Sequence, residues 1–381
     1  MPWNRESVMD QKITLVAEWH SGLYSKTQLA ARHGLSRPTL DKWLARYAEQ
    51  GVDGLKEASR RPSSCPAQTS DHVLQLLLEQ KRHHPAWGPK KLVALLQREH
   101  PEMTLPAPST AGEWLRKFGL VKVRRQFNRP PTGPKTMRPA DEPNQTWAAD
   151  FKGSFKLKGG QRCHPLTITD HASRFLLLCK AQPDVSNARE GFEWAFHEFG
   201  LPDVIRTDNG SPFASTGFSR LSSLSVWWIR LGIFPELIQL GRPDQNGRHE
   251  RMHRTLKDDL LCAPETTLIQ QQLAFERFRE EFNYVRPHEA LDMMTPARIY
   301  TPSVRQYHGK VPEYDYSSED VVRRVRLNGH IKWKGKSLFL SEALIGEAVG
   351  MREVDDEVWD LYLCNHRLGR LERGAKRFSS L

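Results

Sequence analysis

In the N-terminal part of the chain, apolar residues recur three to four positions apart, which is the spacing of amphipathic helices. Residues 8–20 form one such segment. The next stretch, KTQLAARHGLSRPTLDKWLARY, predicts a helix over 27–33, a turn at Gly34, and a second helix that Ser36 caps, with Pro38 in its first turn. Two short helices joined by a tight glycine turn are typical of a helix-turn-helix unit.

The second helix of this unit has two different faces. The apolar face is formed by Leu40, Trp43, Leu44 and Tyr47. The polar residues that point outward are Arg37, Thr39, Lys42 and Arg46. A recognition helix presents such residues to the major groove, so these four are predicted to bind DNA. The alternative is a helical hairpin with solvated charges, but the short spacing, the caps and the exposed cations together favour DNA binding.

A second group of helical patterns follows a stretch rich in Pro, Ser and Arg. It consists of residues 71–82, 89–100 and 108–120, and the last segment opens with a Pro-Ser-Thr start signal. This arrangement is similar to a winged or homeodomain-like DNA-binding module. A helical spacer is the alternative.

Beyond these segments, the spacing of apolar residues changes from one typical of helices to one typical of strands. The segments 145–157 and 163–180 alternate or run apolar as strands do, with a hairpin turn at 170–173. Residues 186–199 predict a helix, 202–213 a short buried strand ending in a turn, and the stretch after 267 another amphipathic helix. Strands that are followed by alternating strands and helices predict an α/β domain with a central mixed sheet.

The last residues, from about 315 onward, alternate between polar and apolar once more. Asn328-Gly329 is a strong hairpin signal, and EVWDLYLCNHRLGRLE repeats the alternating pattern. These features predict a small β-barrel of the SH3 type with basic residues on one face. A domain that only packs or dimerises is the alternative.

The fold class predicted is therefore a multidomain α and α/β protein. Its predicted parts are a helix-turn-helix domain (1–58), a linker (59–70), a second helical DNA-binding domain (71–120), a basic linker (121–143), a catalytic α/β core (144–302) and an SH3-like β-barrel (315–381).

The net charge of the chain indicates what kind of molecule it binds. Among 381 residues, 56 Lys and Arg face 45 Asp and Glu, giving a formal charge of +11, so a polyanion is the expected partner. No apolar run approaches the length of a spanning helix, and the first residues lack the apolar stretch of a signal peptide. These observations favour nucleic acid over a membrane and predict a cytoplasmic, nucleoid-associated protein. The cysteines are scattered, without metal-ligand spacing.

Three acids carry the candidate chemistry. Asp150 lies in an apolar strand pattern, Asp208 ends the run DVIRT just before Asn-Gly, and Glu250 begins a basic helix. Taken alone, Asp208 is explained as a turn-forming residue and Glu250 as an acid at a helix N-terminus. An Asp within a strand, such as Asp150, is uncommon. Together, three converging carboxylates would repel each other unless divalent cations neutralised them. Two Mg²⁺ ions held by these residues could drive phosphoryl transfer.

The basic helix, within GRPDQNGRHERMHRTLK, places Glu250, His253, Arg254 and Lys257 on one stripe. We expect the glutamate to face the metal ions. The residues that would hold DNA phosphates are Arg248, His253, Arg254 and Lys257. An intrahelical pair between Glu250 and Arg254 is the alternative, but it would leave the other two acids unexplained.

The motifs WAADFKG, RTDNGSPFA, GRPDQNGRHERMHRTLK and FNYVRPHEALDMMTPARIY occur in this order. They resemble the catalytic core of insertion-sequence DDE transposases, which share the ribonuclease-H-like fold of retroviral integrases. The resemblance implies that Asp150, Asp208 and Glu250 are the catalytic, metal-binding triad. It also implies Mg²⁺ or Mn²⁺ as cofactor, element-end and target DNA as partners, and a homo-oligomer assembled on DNA. The spacing common in this superfamily would select Asp244 instead of Glu250, but Asp244 lies in a turn sequence and Glu250 on the helix.

The function predicted is that of a transposase that binds the inverted-repeat ends of a mobile element, cleaves their 3′ ends and joins them to target DNA. Two alternatives stay open. One is a catalytically inactive repressor derived from a transposase, and the other is a ribonuclease-H-like nuclease.

Overall fold

The computed structural model describes residues 7–57, 69–121, 137–138, 140–261 and 263–380. The chain divides into two compact units, Met1–Gln68 and Thr69–Leu381. Among the residues that the structure describes, no helix combines the length and apolar character needed to cross a membrane. The basic linker expected over 121–143 lies largely outside the described residues.

The first unit contains three helices, α1 (Val8–His20), α2 (Lys26–Arg32) and α3 (Arg37–Gln50). Gly34 has a φ of +64° in the turn between α2 and α3, and the Ser36 hydroxyl accepts a hydrogen bond from the backbone N–H of Thr39. These local signals form the helix-turn-helix that the sequence predicts. Its core is built around Leu15, Leu29 and Leu40, which are completely buried.

The second unit begins with α4 (Asp71–His83), α5 (Pro89–Glu99) and α6 (Pro108–Lys117). Trp87 is buried among the leucines of these helices. The group packs on the α/β core, because the Arg98 guanidinium donates to the carbonyl of Val285 over 2.8 Å and Val285 contacts the leucine cluster.

A mixed sheet forms the centre of this unit. Its strands are β1 (Thr146–Phe151), β2 (Phe155–Lys156), β3 (Arg162–Asp170), β4 (Leu176–Gln182), β5 (Val204–Thr207) and β6 (Phe234–Leu237). β1 pairs antiparallel with β3 and parallel with β5, β4 pairs antiparallel with β3, and β6 pairs parallel with β5. Three antiparallel strands followed by two parallel ones are the ribonuclease-H-like arrangement predicted for the core.

The helices of the core are α7 (Ala188–Phe199), α8 (Ser223–Arg230), α9 (Gly247–Leu256) and α10 (Leu268–Glu280). On one face of the sheet, Trp147 and Ile168 pack with α7 and α8. On the other face, Met252 and Leu256 of α9 pack with α10. Successive strand residues point to opposite faces, so the strand positions next to Trp147 and Ile168 turn toward α9.

Short helical turns complete the chain. The 3-10 turns are Gly51–Leu55, Phe218–Arg220, Pro243–Asn246, Glu289–Leu291, Pro296–Arg298 and Glu342–Leu344. Single π turns extend α9 and α10 at Lys257–Leu261 and Glu281–Val285.

The C-terminal strands are β7 (Val321–Arg324), β8 (His330–Trp333), β9 (Lys336–Phe339), β10 (Ala348–Asp355), β11 (Val358–Leu363), β12 (His366–Leu371) and β13 (Ser379–Ser380). They form a sheet in the order β13-β12-β11-β10-β7 and a separate β8-β9 hairpin. Within the described residues no ladder joins the two sheets, so the SH3-like barrel is not confirmed.

The hairpin predicted at Asn328-Gly329 is wrong in its pairing. Gly329 does turn the chain, with a φ of +73°. The two strands that flank this turn do not pair, because β7 pairs with β10 and β8 pairs with β9. Backbone hydrogen bonds between Val325 and both Glu347 and Gly346 hold the end of β7 beside β10 instead.

Candidate active site

Asp150 and Asp208 come from neighbouring parallel strands. Ala149 of β1 and Thr207 of β5 are register partners. Asp150 and Asp208 each follow directly, so both acids stand at the carboxyl end of their strands, side by side. A local turn fixes Asp208 further, since its Oδ1 accepts the backbone N–H of Gly210 over 3.0 Å.

The charges of both other acids, Asp208 and Glu250, affect the pKa of Asp150. Burial, followed by the negative charge of Asp208 and, to a lesser extent, that of Glu250, raises the pKa of Asp150 to about 7. The backbone of Phe151 and the charge of Lys152 oppose this rise. Because Coulomb interactions weaken with distance, these effects indicate that the three acids share one region of the surface.

Glu250 lies in the first turn of α9 with its side chain exposed. The buried side of the same helix carries His249 and His253, which are 1% and 4% exposed. Their rings are 4.6 Å apart and contact the hydroxyls of β3. The helix is thereby held against the strand that lies beside Asp150.

Hydrogen bonds define this contact closely. Thr167 Oγ1 lies 2.8 Å from His249 Nε2 and 2.7 Å from His253 Nε2. It also donates to the carbonyl of Asp150 over 3.0 Å. Thr169 Oγ1 lies 2.8 Å from His249 Nδ1. Burial lowers the pKa of both histidines, so both rings are neutral near neutral pH.

The residues expected to hold DNA phosphates on α9 do not all share one environment. Arg254 and Lys257 are exposed. Arg248 is exposed too, and its Nη1 donates to the carbonyl of His171 over 3.0 Å. His253 does not belong to this stripe, because Met252 and Leu256 turn its side of the helix toward the sheet.

Two other acids of the core, Asp244 and Asp170, have partners of their own. Asp244 forms an ion pair with Arg242 at 2.9 Å. Asp170 is completely buried, and its carboxylate accepts the backbone N–H groups of Asn144 and Ser173 and the Ser173 hydroxyl, at 2.7, 2.8 and 2.6 Å. These contacts give Asp170 a structural role in the turn after β3.

On α3, the residues expected to face DNA are arranged on the outer side. Arg37 and Lys42 are exposed, and Arg46 is half-buried with its guanidinium 5.2 Å from the centre of the Trp43 ring. The Thr39 hydroxyl lies 2.8 Å from that of Ser36 and belongs to the helix cap.

The donor set suits a hard divalent cation. Asp150, Asp208 and Glu250 supply carboxylate oxygens, which Mg²⁺ prefers, and a cation would relieve the repulsion that raises the pKa of Asp150. Asp150, His249 and His253 also offer ligand atoms that lie within 4.8 Å of one another. Thr167, Thr169 and His249 were not predicted as site residues from the sequence. The four-residue spacing of the two histidines was the signal available.

Comparison with known families supports this description. Models described as integrase core domains match residues 140–243 and 231–296. A helix-turn-helix domain matches residues 11–63, and a homeodomain-like domain matches 39–115. The C-terminal domain of the IS481 family of transposases matches 320–378.

Two similar proteins come from bacterial insertion elements. The chain is similar to an uncharacterized 39.2 kDa protein of insertion element IS476 from Xanthomonas euvesicatoria, with 27% identity over 65% of this chain and 69% of the relative. An uncharacterized 31.7 kDa protein of insertion element IS407 from Burkholderia multivorans is 26% identical over 65% of this chain and 87% of the relative. The magnesium complex of the HTLV-2 integrase catalytic core domain aligns with 42% of this chain and 98% of that one, at 17% identity and a TM-score of 0.31.

Proposed function

Because this chain is an insertion-sequence DDE transposase with an integrase-like catalytic core, we propose that it cleaves the 3′ ends of a mobile DNA element and joins them to target DNA. One observation carries the proposal. Asp150 and Asp208 directly follow a register pair on neighbouring parallel strands, and Glu250 contributes to the charge around Asp150.

Integrase core domains depend on a divalent metal ion, and this chain contains such a domain. We assign Asp150, Asp208 and Glu250 as the ligands of two Mg²⁺ ions, for which Mn²⁺ can substitute. When bound, such ions would activate the attacking oxygen and stabilise the leaving oxygen of an in-line phosphoryl displacement.

The proposed reaction has two displacements. In the first, a water oxygen attacks the phosphorus at the element end, the bond from phosphorus to the 3′ oxygen breaks, and a 3′-hydroxyl is released. In the second, that hydroxyl attacks a target phosphorus, and the target strand leaves with its own 3′-hydroxyl. Each step exchanges one P–O bond for another, so no covalent bond to the protein is required.

DNA is recognised by other parts of the chain. Helix-turn-helix domains bind DNA, and we assign recognition of the inverted-repeat ends to α3 and to the second helical group. On α9, the exposed side chains of Arg254 and Lys257 would hold phosphates beside Glu250. Joining both ends of an element in one event requires an active site at each end, which we assign to a homo-oligomer.

The test uses duplex DNA from the ends of the element, the full-length chain and Mg²⁺. We expect nicked ends and joined products, both lost when a chelator is added and both absent with Asp150→Asn. Binding without either product would support a repressor instead. Cleavage of an RNA–DNA hybrid without joining would support a ribonuclease-H-like nuclease.

A further inference from the structure

Thr167 makes three hydrogen bonds with one hydroxyl group. Its Oγ1 donates to the carbonyl of Asp150 and is close to Nε2 of both His249 and His253. A hydroxyl has one proton and two lone pairs. Since the proton is used on Asp150, both lone pairs accept hydrogen bonds, and both histidines carry their proton on Nε2.

This assignment fixes the other ring nitrogens. Nδ1 of each neutral histidine then has a lone pair and no proton. For His249 that lone pair accepts the Thr169 hydroxyl at 2.8 Å, so both of its nitrogens are occupied. For His253, Nδ1 lies 3.6 Å from Oδ2 of Asp150.

An unprotonated nitrogen and a carboxylate oxygen this close together in a partly buried space suit a shared cation. An ionised carboxylate cannot donate to a bare nitrogen, so Asp150 and His253 stabilise each other only through a proton or a metal ion. Two ligand atoms each about 2.1 Å from one ion stand about 3.4 Å apart at a tetrahedral angle. The observed separation of 3.6 Å is close to this value. Of the cluster that includes His249, Asp150 and His253 therefore supply the ligand atoms, because both ring nitrogens of His249 are already hydrogen-bonded.

We propose that His253 is a nitrogen ligand of the metal ion held by Asp150 and that Thr167 positions it by fixing its tautomer. This inference rests on the proposed metal site. Imidazole binds first-row transition metals better than it binds Mg²⁺, which prefers oxygen. The centre consequently favours Mn²⁺, Co²⁺ or Zn²⁺ over Mg²⁺ relative to a site built from carboxylates alone. The buried face of α9 then supplies one metal ligand, His253, and its exposed face supplies another, Glu250.

The experiment measures Mn²⁺ on the full-length protein without DNA. Pulsed EPR detects nitrogen that is bonded directly to Mn²⁺, and histidine labelled with ¹⁵N changes that signal in a known way. We expect a directly bonded histidine nitrogen in the wild-type protein, which needs no variant to be observed. His253→Asn should remove the signal and weaken Mn²⁺ binding about 10-fold or more, with a smaller effect on Mg²⁺.

Thr167 has its own test, because it acts through His253. Thr167→Val removes the acceptor of both Nε2–H groups, whereas Thr167→Ser keeps it. We expect Thr167→Val to weaken the nitrogen coupling and Thr167→Ser to restore it. Nitrogen NMR of labelled histidine should show an unprotonated Nδ1 at His253 in the metal-free wild-type protein and a protonated fraction in Thr167→Val.

The outcomes separate the two proposals. Mn²⁺ binding that requires Asp150 but shows no bonded histidine nitrogen would overturn the role of His253 and leave the proposed function intact. A nitrogen signal that persists in His253→Asn would overturn it as well. If Asp150→Asn binds Mn²⁺ as the wild type does, the proposed metal site itself is wrong.

Discussion

Arg242 holds both carboxylate oxygens of Asp244, with Nε 2.9 Å from Oδ1 and Nη2 3.0 Å from Oδ2. A bidentate guanidinium already neutralises this acid. Glu250, by contrast, is exposed and contributes to the charge around Asp150. Glu250 is therefore the better third metal ligand, although the spacing along the chain would favour Asp244.

We expect Glu250→Gln to abolish both end cleavage and joining, because it removes one carboxylate from the metal site. Asp244→Asn is the matched control and should keep most of the joining activity. Both variants are compared on the same element-end duplex at saturating Mg²⁺, with folding checked by circular dichroism. Loss of joining in Asp244→Asn and its retention in Glu250→Gln would move the site to Asp244.

The helices of the N-terminal unit could be predicted because their signals are local. Ser36 caps α3 and Gly34 takes up a left-handed conformation, and each depends only on neighbouring residues. Strand partners depend on distant residues, so the Asn328-Gly329 signal predicts the turn but not that β7 pairs with β10 and β8 with β9. The edge strand β6 was not predicted at all, because its four residues are all only half-buried and include Pro235.

For the site, the three acids could be found from the sequence, but the orientation of α9 could not. Residues three apart on a helix differ by about 60° around its axis. Glu250 and His253 can therefore lie on the same face of α9, or the boundary between its exposed and buried faces can fall between them. The packing of Met252 and Leu256 against the sheet places His253 on the buried face of α9. That information lies in the partner surface and not in α9.

The raised pKa of Asp150 predicts a stabilising substitution in the metal-free protein. Folding raises the pKa of its carboxyl from 3.8 to about 7, chiefly through burial. Between these values the folded state binds the extra proton, so this group lowers stability as the pH rises, and the loss is complete above about pH 7. Below about pH 4 the carboxyl is protonated in both states and has no effect.

In the presence of a chelator, Asp150→Asn should therefore raise the free energy of unfolding by on the order of 2–4 kcal/mol above pH 7, and by much less near pH 4. Urea unfolding at both pH values measures the difference. Saturating Mg²⁺ should stabilise the wild type and not the variant. A gain in stability that is equal at the two pH values would contradict the electrostatic origin of the effect.

Asp170 should respond in the opposite direction. Its buried carboxylate accepts three hydrogen bonds, from Asn144 and Ser173. An amide has only one acceptor oxygen, so Asp170→Asn leaves a buried donor without a partner and costs about 1–3 kcal/mol. Urea unfolding in the chelator measures this loss beside Asp150→Asn. The folded variant should still bind Mn²⁺, and its failure to do so would make Asp170 part of the metal site.

The last prediction concerns the contribution of α3 to DNA binding. Lys42 is exposed on the outer side of this helix, where a cation that contacts a phosphate releases a counterion from the DNA. We expect Lys42→Gln to reduce the slope of log affinity against log salt by about 1 on element-end duplex, measured without divalent metal. Lys56→Gln removes the same charge from the same unit, but Lys56 is already paired with Asp53. That control should leave the slope unchanged. Equal slopes for wild type and Lys42→Gln would mean that this face of α3 does not contact the backbone, since a lost phosphate contact cannot leave counterion release unaltered.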